Sequence, residues 1–279
     1  MRPSKIKNKI GRKLFLLKKD LLHRLSPANQ DEQILFILGC QRSGTTLMLE
    51  IFENDPQTKT FGEFSKLSSN DKRERLRLNP LADVKAALDS ERAAFIVMKP
   101  LVESQNALRL LDYFENSHAL WVYRDYRDVA LSNLEHFSRH NGFNNIKPIL
   151  DNDQTNWRAE HVSDEVRNTV STHHQNLKKM DAAVLFWYAR NSLYFDLGLD
   201  QITNVHMCKY EDLVTHPSKV VKALYERIGQ AYPGPAIHKT VHPRSLKRGR
   251  DVDLSPEIDQ LASNFLDKLD RAYKMSPLA

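Results

Sequence analysis

The sequence predicts an α/β domain with a central parallel sheet flanked by helices. Three observations lead there. Continuous apolar runs recur at Ile34–Leu38, Ala94–Met98 and Ala119–Tyr123, the pattern of strands buried on both faces. Segments of helical periodicity alternate with these runs. A glycine-bearing loop joins the first run to a helix, the kind of bend that cradles anions in α/β domains.

Taken in order, residues 1–27 read as a basic amphipathic helix. Ile6, Ile10, Leu14, Leu17, Leu21 and Leu25 recur at three- and four-residue spacing, and Pro27 ends the segment. Residues 1–25 hold nine basic side chains and one acid. The chain as a whole carries 41 Lys+Arg against 35 Asp+Glu, a net charge of +6, so the rest of it is slightly acidic. An excess confined to one end argues against nucleic-acid binding, which makes a folded body basic. The helix suits docking on its own domain or a partner subunit, the commoner fate. Its alternative is peripheral contact with an anionic membrane through residues 5–25.

Residues 28–279 read as a single domain. After the Ile34–Leu38 strand, a helix runs from about Thr45 to Asn54 and stops at Asp55-Pro56. Further helices are predicted over Asp83–Leu88, Ser104–Phe114, Arg127–Phe137, Asp181–Leu197 and Ser218–Ile228. A fourth strand is predicted at Val205–Cys208. Residues 138–180 form a polar insertion, expected to be a lid or a substrate-facing surface. It carries His140, His161, His173 and His174, and His136 stands four residues before His140. No acid or third histidine completes a ligand set there, so no metal is expected.

Two cysteines, Cys40 and Cys208, cannot build a disulfide framework and read as small buried residues. No apolar stretch nears the ~20 residues a membrane span requires. Lys18-Lys19 interrupts the early run Leu14–Leu17, so no signal peptide is read. The expected location is cytoplasmic, peripheral to a membrane at most.

The loop Gly39-Cys40-Gln41-Arg42-Ser43-Gly44-Thr45-Thr46 fixes the chemistry. Gly39 and Gly44 have the spacing of the phosphate loop Gly-x-x-x-x-Gly-Lys-[Ser/Thr], but Thr45 stands where that lysine belongs. Without it a triphosphate loses its main cation. Arg42 supplies a positive charge earlier, and Ser43, Thr45 and Thr46 supply hydroxyls. This suits a smaller anionic group on a nucleotide.

Here the sequence resembles the sulfotransferases that use 3′-phosphoadenosine 5′-phosphosulfate (PAPS). Their 5′-phosphosulfate loop reads Pro-[Lys/Arg]-Ser-Gly-Thr-Thr, matched by Gln41–Thr46 except for the proline. The arginine and the following Leu47-Met48 look most like the tyrosylprotein sulfotransferase branch. The family's 3′-phosphate motif, a strand-end arginine with a serine eight residues on, is matched by Arg124 and Ser132. An arginine fork suits phosphate oxygens.

The resemblance implies the remaining roles. Cytosolic small-molecule members place a histidine in Lys-Thr-His; Lys99-Pro100-Leu101 keeps the lysine only. Phe61-Gly62-Glu63 resembles the tyrosylprotein branch's Gly-Glu, which makes Glu63 the general base. Lys99 then stabilises the leaving 3′-phosphoadenosine 5′-phosphate (PAP). Lys209-Tyr210-Glu211-Asp212-Leu213 resembles a segment whose tyrosine lies near adenine, so Tyr210 is a cofactor candidate. Ser245, Lys247 and Arg248 are candidates for a late loop over the 3′-phosphate. His136 departs from the branch, which has an arginine there.

The expected protein is thus a sulfotransferase-like fold of P-loop type, transferring a sulfuryl group from PAPS to an acceptor hydroxyl without a metal. A carbohydrate or glycan is the favoured acceptor and peptide tyrosine the second. The rivals are a P-loop kinase or NTPase and a non-catalytic nucleotide-binding protein.

Overall fold

Each apolar run becomes a strand whose side chains are buried on both faces. The computed structural model describes residues 3–25, 32–71 and 75–275. Its strands are β1 (Gln33–Gly39), β2 (Thr58–Phe61), β3 (Ser68–Asp71), β4 (Arg75–Leu78), β5 (Phe95–Met98), β6 (Ser117–Tyr123) and β7 (Val205–Lys209). The helices are α1 (Pro3–Leu25), α2 (Thr45–Glu53), α3 (Leu81–Asp89), α4 (Ala107–Tyr113), α5 (Tyr126–His136), α6 (Asn141–Leu150), α7 (Asp164–Thr172), α8 (Lys179–Asp196), α9 (Tyr210–Thr215), α10 (Pro217–Arg227) and α11 (Pro256–Met275).

Five strands form an all-parallel sheet in the order β2-β5-β1-β6-β7, while β3 and β4 make a separate antiparallel hairpin. The register aligns the carboxyl ends. Phe61 pairs with Met98, Gly39 with Val122, and Tyr123 with Lys209. The residues that follow these ends include Glu63, Lys99, Arg124 and Tyr210, with the Gly39–Gly44 loop between them. The chain builds β2 and β5 to one side of β1 and β6 to the other. A crevice therefore opens beyond the β1 and β6 ends, at the point where the winding reverses.

The core lies on both faces of this sheet. Helix α2 packs on β1, β2 and β5, and α8 on α5, α6, α7 and α11. Trp187 and Trp121 are fully buried. Trp187 Nε1 donates to the Arg124 carbonyl (3.0 Å), fixing the backbone where β6 ends.

Three expectations need correction. The Ser104–Phe114 segment starts as a 3-10 turn over Leu101–Asn106, and α4 begins only at Ala107. The Ser104 hydroxyl accepts from Gly39 N (3.1 Å), which ties this turn to the end of β1. His136 and His140 do not share a helix, because α5 stops at His136 and His140 precedes α6. The polar insertion also belongs to the core: it folds as α6 and α7, and buries Ile146, Ile149, Trp157, Val166 and Val170. Scattered polar residues hide its apolar faces in the sequence. Pro27, read as the stop of the first helix, lies outside the described residues, as do the side chains of Ile6, Ile10 and Leu25.

Candidate functional site

The loop from β1 to α2 is shaped by a left-handed turn. Gly44 has φ 102°, and a Cβ there would come within 2.2 Å of the Tyr210 ring, so only glycine lets the loop close against that ring. Arg42 also takes a positive φ of 70°, a conformation uncommon for a residue with a Cβ. It directs the guanidinium across the crevice, where Nε donates to Ser132 Oγ (3.1 Å). The two motifs, ninety residues apart, thus meet in one space rather than in two separate pockets.

That space is a cavity of about 280 Å³. Arg42, Gly44, Thr45, Thr46, Arg124, Ser132, Tyr210, Ser245 and Arg248 all line it. Burial first, and then the nearby Arg124 cation, lower the Arg42 pKa from its ordinary value. Two guanidiniums held close in a half-buried space make a site for anions. The acid at the rim, Asp128, is already engaged. It accepts from Arg124 Nη2 (3.1 Å), Lys247 N (3.0 Å) and Gly249 N (2.8 Å).

Arg124 is held on every side. Its guanidinium lies 4.3 Å from the centre of the Tyr210 ring and donates to the Ser245 carbonyl. Tyr210 OH bonds Ser245 Oγ in turn. Yet Arg124 Nε is buried without a partner, and so is Ser43 Oγ. Buried orphan donors cost free energy unless a ligand satisfies them. The residues present therefore fit a ligand that carries anionic groups.

Beside it stands the second half of the site. Lys99 is buried, and its Nζ donates to Thr46 Oγ1 (3.1 Å) and lies 3.5 Å from Glu63 Oε1. Each partner comes from a different strand end. The Gly39–Thr46 loop, the lysine and the candidate base are thereby linked in one chain of contacts.

Not every predicted residue arrives. The Lys247 side chain lines a neighbouring cavity with Asp125, Arg127 and Glu211, so only its backbone reaches the Asp128 clamp. Its positive φ of 59° turns the side chain away. Arg248 reaches the cavity but also pairs with Glu135 (3.0 Å). His136 is exposed against Phe137 and does not line the cavity.

Sequence reasoning missed Asp128 and Gly249. A Cβ on Gly249 would come within 2.4 Å of the Arg127 carbonyl, so the late loop needs glycine to lie on the start of α5. The signal was available in Arg127-Asp128, an acid one turn after Arg124, and in the glycine after Lys247-Arg248.

Cys40 and Cys208 are free and buried; burial pushes Cys40 up to about 12 and raises Cys208 further. Both thiols are therefore protonated and inert at neutral pH. Among the described residues no three of the His, Cys, Asp and Glu side chains gather as a metal site. No helix among them is long and apolar enough to cross a membrane.

Comparison with known proteins bears on this geometry. No curated protein matches the chain. Among solved structures, the sulfotransferase domain of the Synechococcus PCC 7002 olefin synthase is 16% identical, with a TM-score of 0.48, covering 86% of this chain and 98% of that one. A sulfotransferase from Alicyclobacillus acidocaldarius is 15% identical (TM-score 0.46; 88% and 95% covered). A mouse sulfotransferase complexed with PAP is 12% identical (TM-score 0.43; 90% and 86%). The model of the sulfotransferase domain matches residues 32–265, from the start of β1 into α11. The chain belongs to the sulfotransferase family, whose chemistry is sulfuryl transfer from PAPS.

Proposed function

We propose that this chain transfers the sulfuryl group of PAPS to an acceptor hydroxyl, with Glu63 as the general base. The observation that carries the reading is Lys99, which touches both Thr46 of the anion loop and Glu63. A donor held by that loop brings an activated sulfuryl group to the lysine. Arg42, Ser43, Gly44, Thr45 and Thr46 hold the 5′ end, while Arg124, Ser132, Tyr210 and the Ser245–Gly249 loop hold the 3′ end. Glu63 Oε1 takes the acceptor proton as its oxygen attacks. Lys99 Nζ carries positive charge to where the leaving phosphate becomes more negative, an interaction strongest in the transition state. None of these roles needs a metal.

A glycan is the favoured acceptor. Hairpin β3–β4 follows Glu63 and, with the turn that follows Lys99, walls a second cavity of about 540 Å³. Ser69, Arg77, Asn79, Asn106, Arg109 and Thr155 give it the donors and acceptors that a sugar surface needs. Peptide tyrosine is the second reading. It rests on Arg42, Leu47-Met48 and Gly62-Glu63, which look like the tyrosylprotein branch, and His136 departs from that branch.

Calorimetric titration with PAP, PAPS, ATP and GTP tests the donor, and radiolabelled PAPS offered to glycans, phenols, peptides and lipids tests the acceptor. The reading requires PAP binding that EDTA leaves intact. Magnesium-dependent ATP turnover with no response to PAP would point instead to a kinase or NTPase. PAP binding with no transfer to any acceptor class would leave a nucleotide-binding protein.

A further inference from the structure

Helix α1 docks on the domain by its polar side. An amphipathic helix ordinarily buries its leucines and leaves its lysines in water. Here Lys19 and His23 are buried instead. Lys19 Nζ donates to the Glu53 carbonyl (2.8 Å), Arg12 pairs with the Glu53 carboxylate, and Asp20 accepts from Lys59 Nζ (3.0 Å). Burial lowers Lys19 to about 8 against the pull of Asp55 and Glu53. The opposite face carries Leu14, Leu17 and Leu21, which are 54%, 59% and 56% exposed. Their spacing of three and four residues makes one stripe about two turns long.

We propose that this leucine stripe is seated on an anionic phospholipid surface, with α1 as a bridge between bilayer and domain. The charge on the segment chooses this occupant. Nine cations and one acid lie within residues 1–25; the domain holds Arg12 and Lys19, and exposed Lys18 sits beside the stripe. Apolar side chains entering the interface while neighbouring cations meet headgroups is the arrangement of an in-plane membrane helix. A second copy of the chain fits poorly, because it would bring two strongly basic helices together. Even with the equally exposed Leu22, these leucines are far short of the ~800 Å² per partner of a stable protein interface.

The docking seats α1 on Glu53, the last residue of α2, and on Lys59 of β2. Lys59, the strand residue held by Asp20, lies four residues before Glu63, roughly 13 Å along an extended chain. The candidate base is thus separated from the docked helix by the length of β2. The proposal does not depend on the transfer reading, since membrane seating is measured without activity.

Flotation of the full-length chain with vesicles tests it. Vesicles of phosphatidylcholine mixed with phosphatidylglycerol should retain the protein, and vesicles of phosphatidylcholine alone should not. The double variant Leu17→Glu/Leu21→Glu alters only exposed positions, so its melting curve should match the parent. Its retention on anionic vesicles should drop at least about tenfold. Failure of anionic vesicles to retain the parent overturns the proposal, as does equal retention of the double variant. A parent dimer in sedimentation equilibrium that the double variant abolishes would assign the stripe to a second copy instead.

Discussion

Glu63 and Lys99 stand 3.5 Å apart because β2 and β5 run in register. Phe61 is paired with Met98, and Lys99 N donates to the Phe61 carbonyl (2.9 Å), so the residues beyond each strand emerge side by side. Neither side chain has to search for the other.

Glu63→Gln keeps the size of the side chain and removes its capacity to take a proton. The transfer rate in single-turnover assays should fall by about 10²–10⁴. PAP binding by calorimetry should be unchanged, because Glu63 does not line the donor cavity. A variant that retained full turnover would remove Glu63 from the base role.

Lys99→Met tests the leaving-group cation. A loss of roughly 10²–10³ in kcat is expected, the size of removing one preorganised donor to developing charge. The acceptor KM should move less than kcat. An effect confined to KM would make Lys99 a binding residue.

Arg124→Lys replaces a fork with a point charge at the 3′ end of the cavity. PAP should lose about 1.5–3 kcal/mol of binding, the worth of a hydrogen bond to a charged group. AMP, which lacks the 3′-phosphate, should bind the variant and the parent alike. Equal losses for both ligands would place the 3′-phosphate elsewhere.

Asp128→Asn addresses the clamp on the late loop. One amide oxygen cannot serve Arg124, Lys247 N and Gly249 N together, and each abandoned buried donor costs about 1–3 kcal/mol. Amide hydrogen exchange at Lys247–Gly249 should accelerate and PAP should dissociate faster. Unchanged exchange there would show that the loop holds itself.

Buried His206, stacked on half-buried His118, makes stability depend on pH. Their rings stack, with His118 Nδ1 3.1 Å from His206 Nε2. Burial, followed by His118 and Arg227, lowers His206 to about 4 from 6.5. Between those values the unfolded chain binds a proton that the native one does not. The resulting stability is complete above pH 6.5 and is lost as pH falls through 4, by up to about 3 kcal/mol. The gap in urea midpoint between the parent and His206→Gln should therefore narrow as pH is lowered from 7 to 4.

The parts legible in the sequence share one physical cause. Strands β1, β5 and β6 are buried on both faces, so their apolar runs are uninterrupted, and loop residues Arg42 to Thr46 follow directly from the first of them. Strand β2 left no such trace. It lies at the sheet edge, and its Lys59 turns to Asp20 and Glu91, which breaks the apolar pattern. The Asp128–Gly249 contact joins positions 121 residues apart through a backbone N–H, so the acid and the glycine stand in the sequence with nothing to pair them. The inverted seating of α1 was hidden for a related reason. Periodicity finds the apolar stripe of a helix but not which side the domain takes.

The strand order has a last consequence, concerning how such a protein diversifies. The proposed donor grip is spread over the ends of β1, β6 and β7, whereas Glu63 follows β2, the strand at the opposite edge of the sheet from β7. The β3–β4 hairpin after Glu63 makes neither the Arg42–Ser132 hydrogen bond nor the Arg124–Tyr210 stacking contact. On the proposed reading, a change of acceptor can be drafted into that hairpin while the nucleotide clasp is inherited intact.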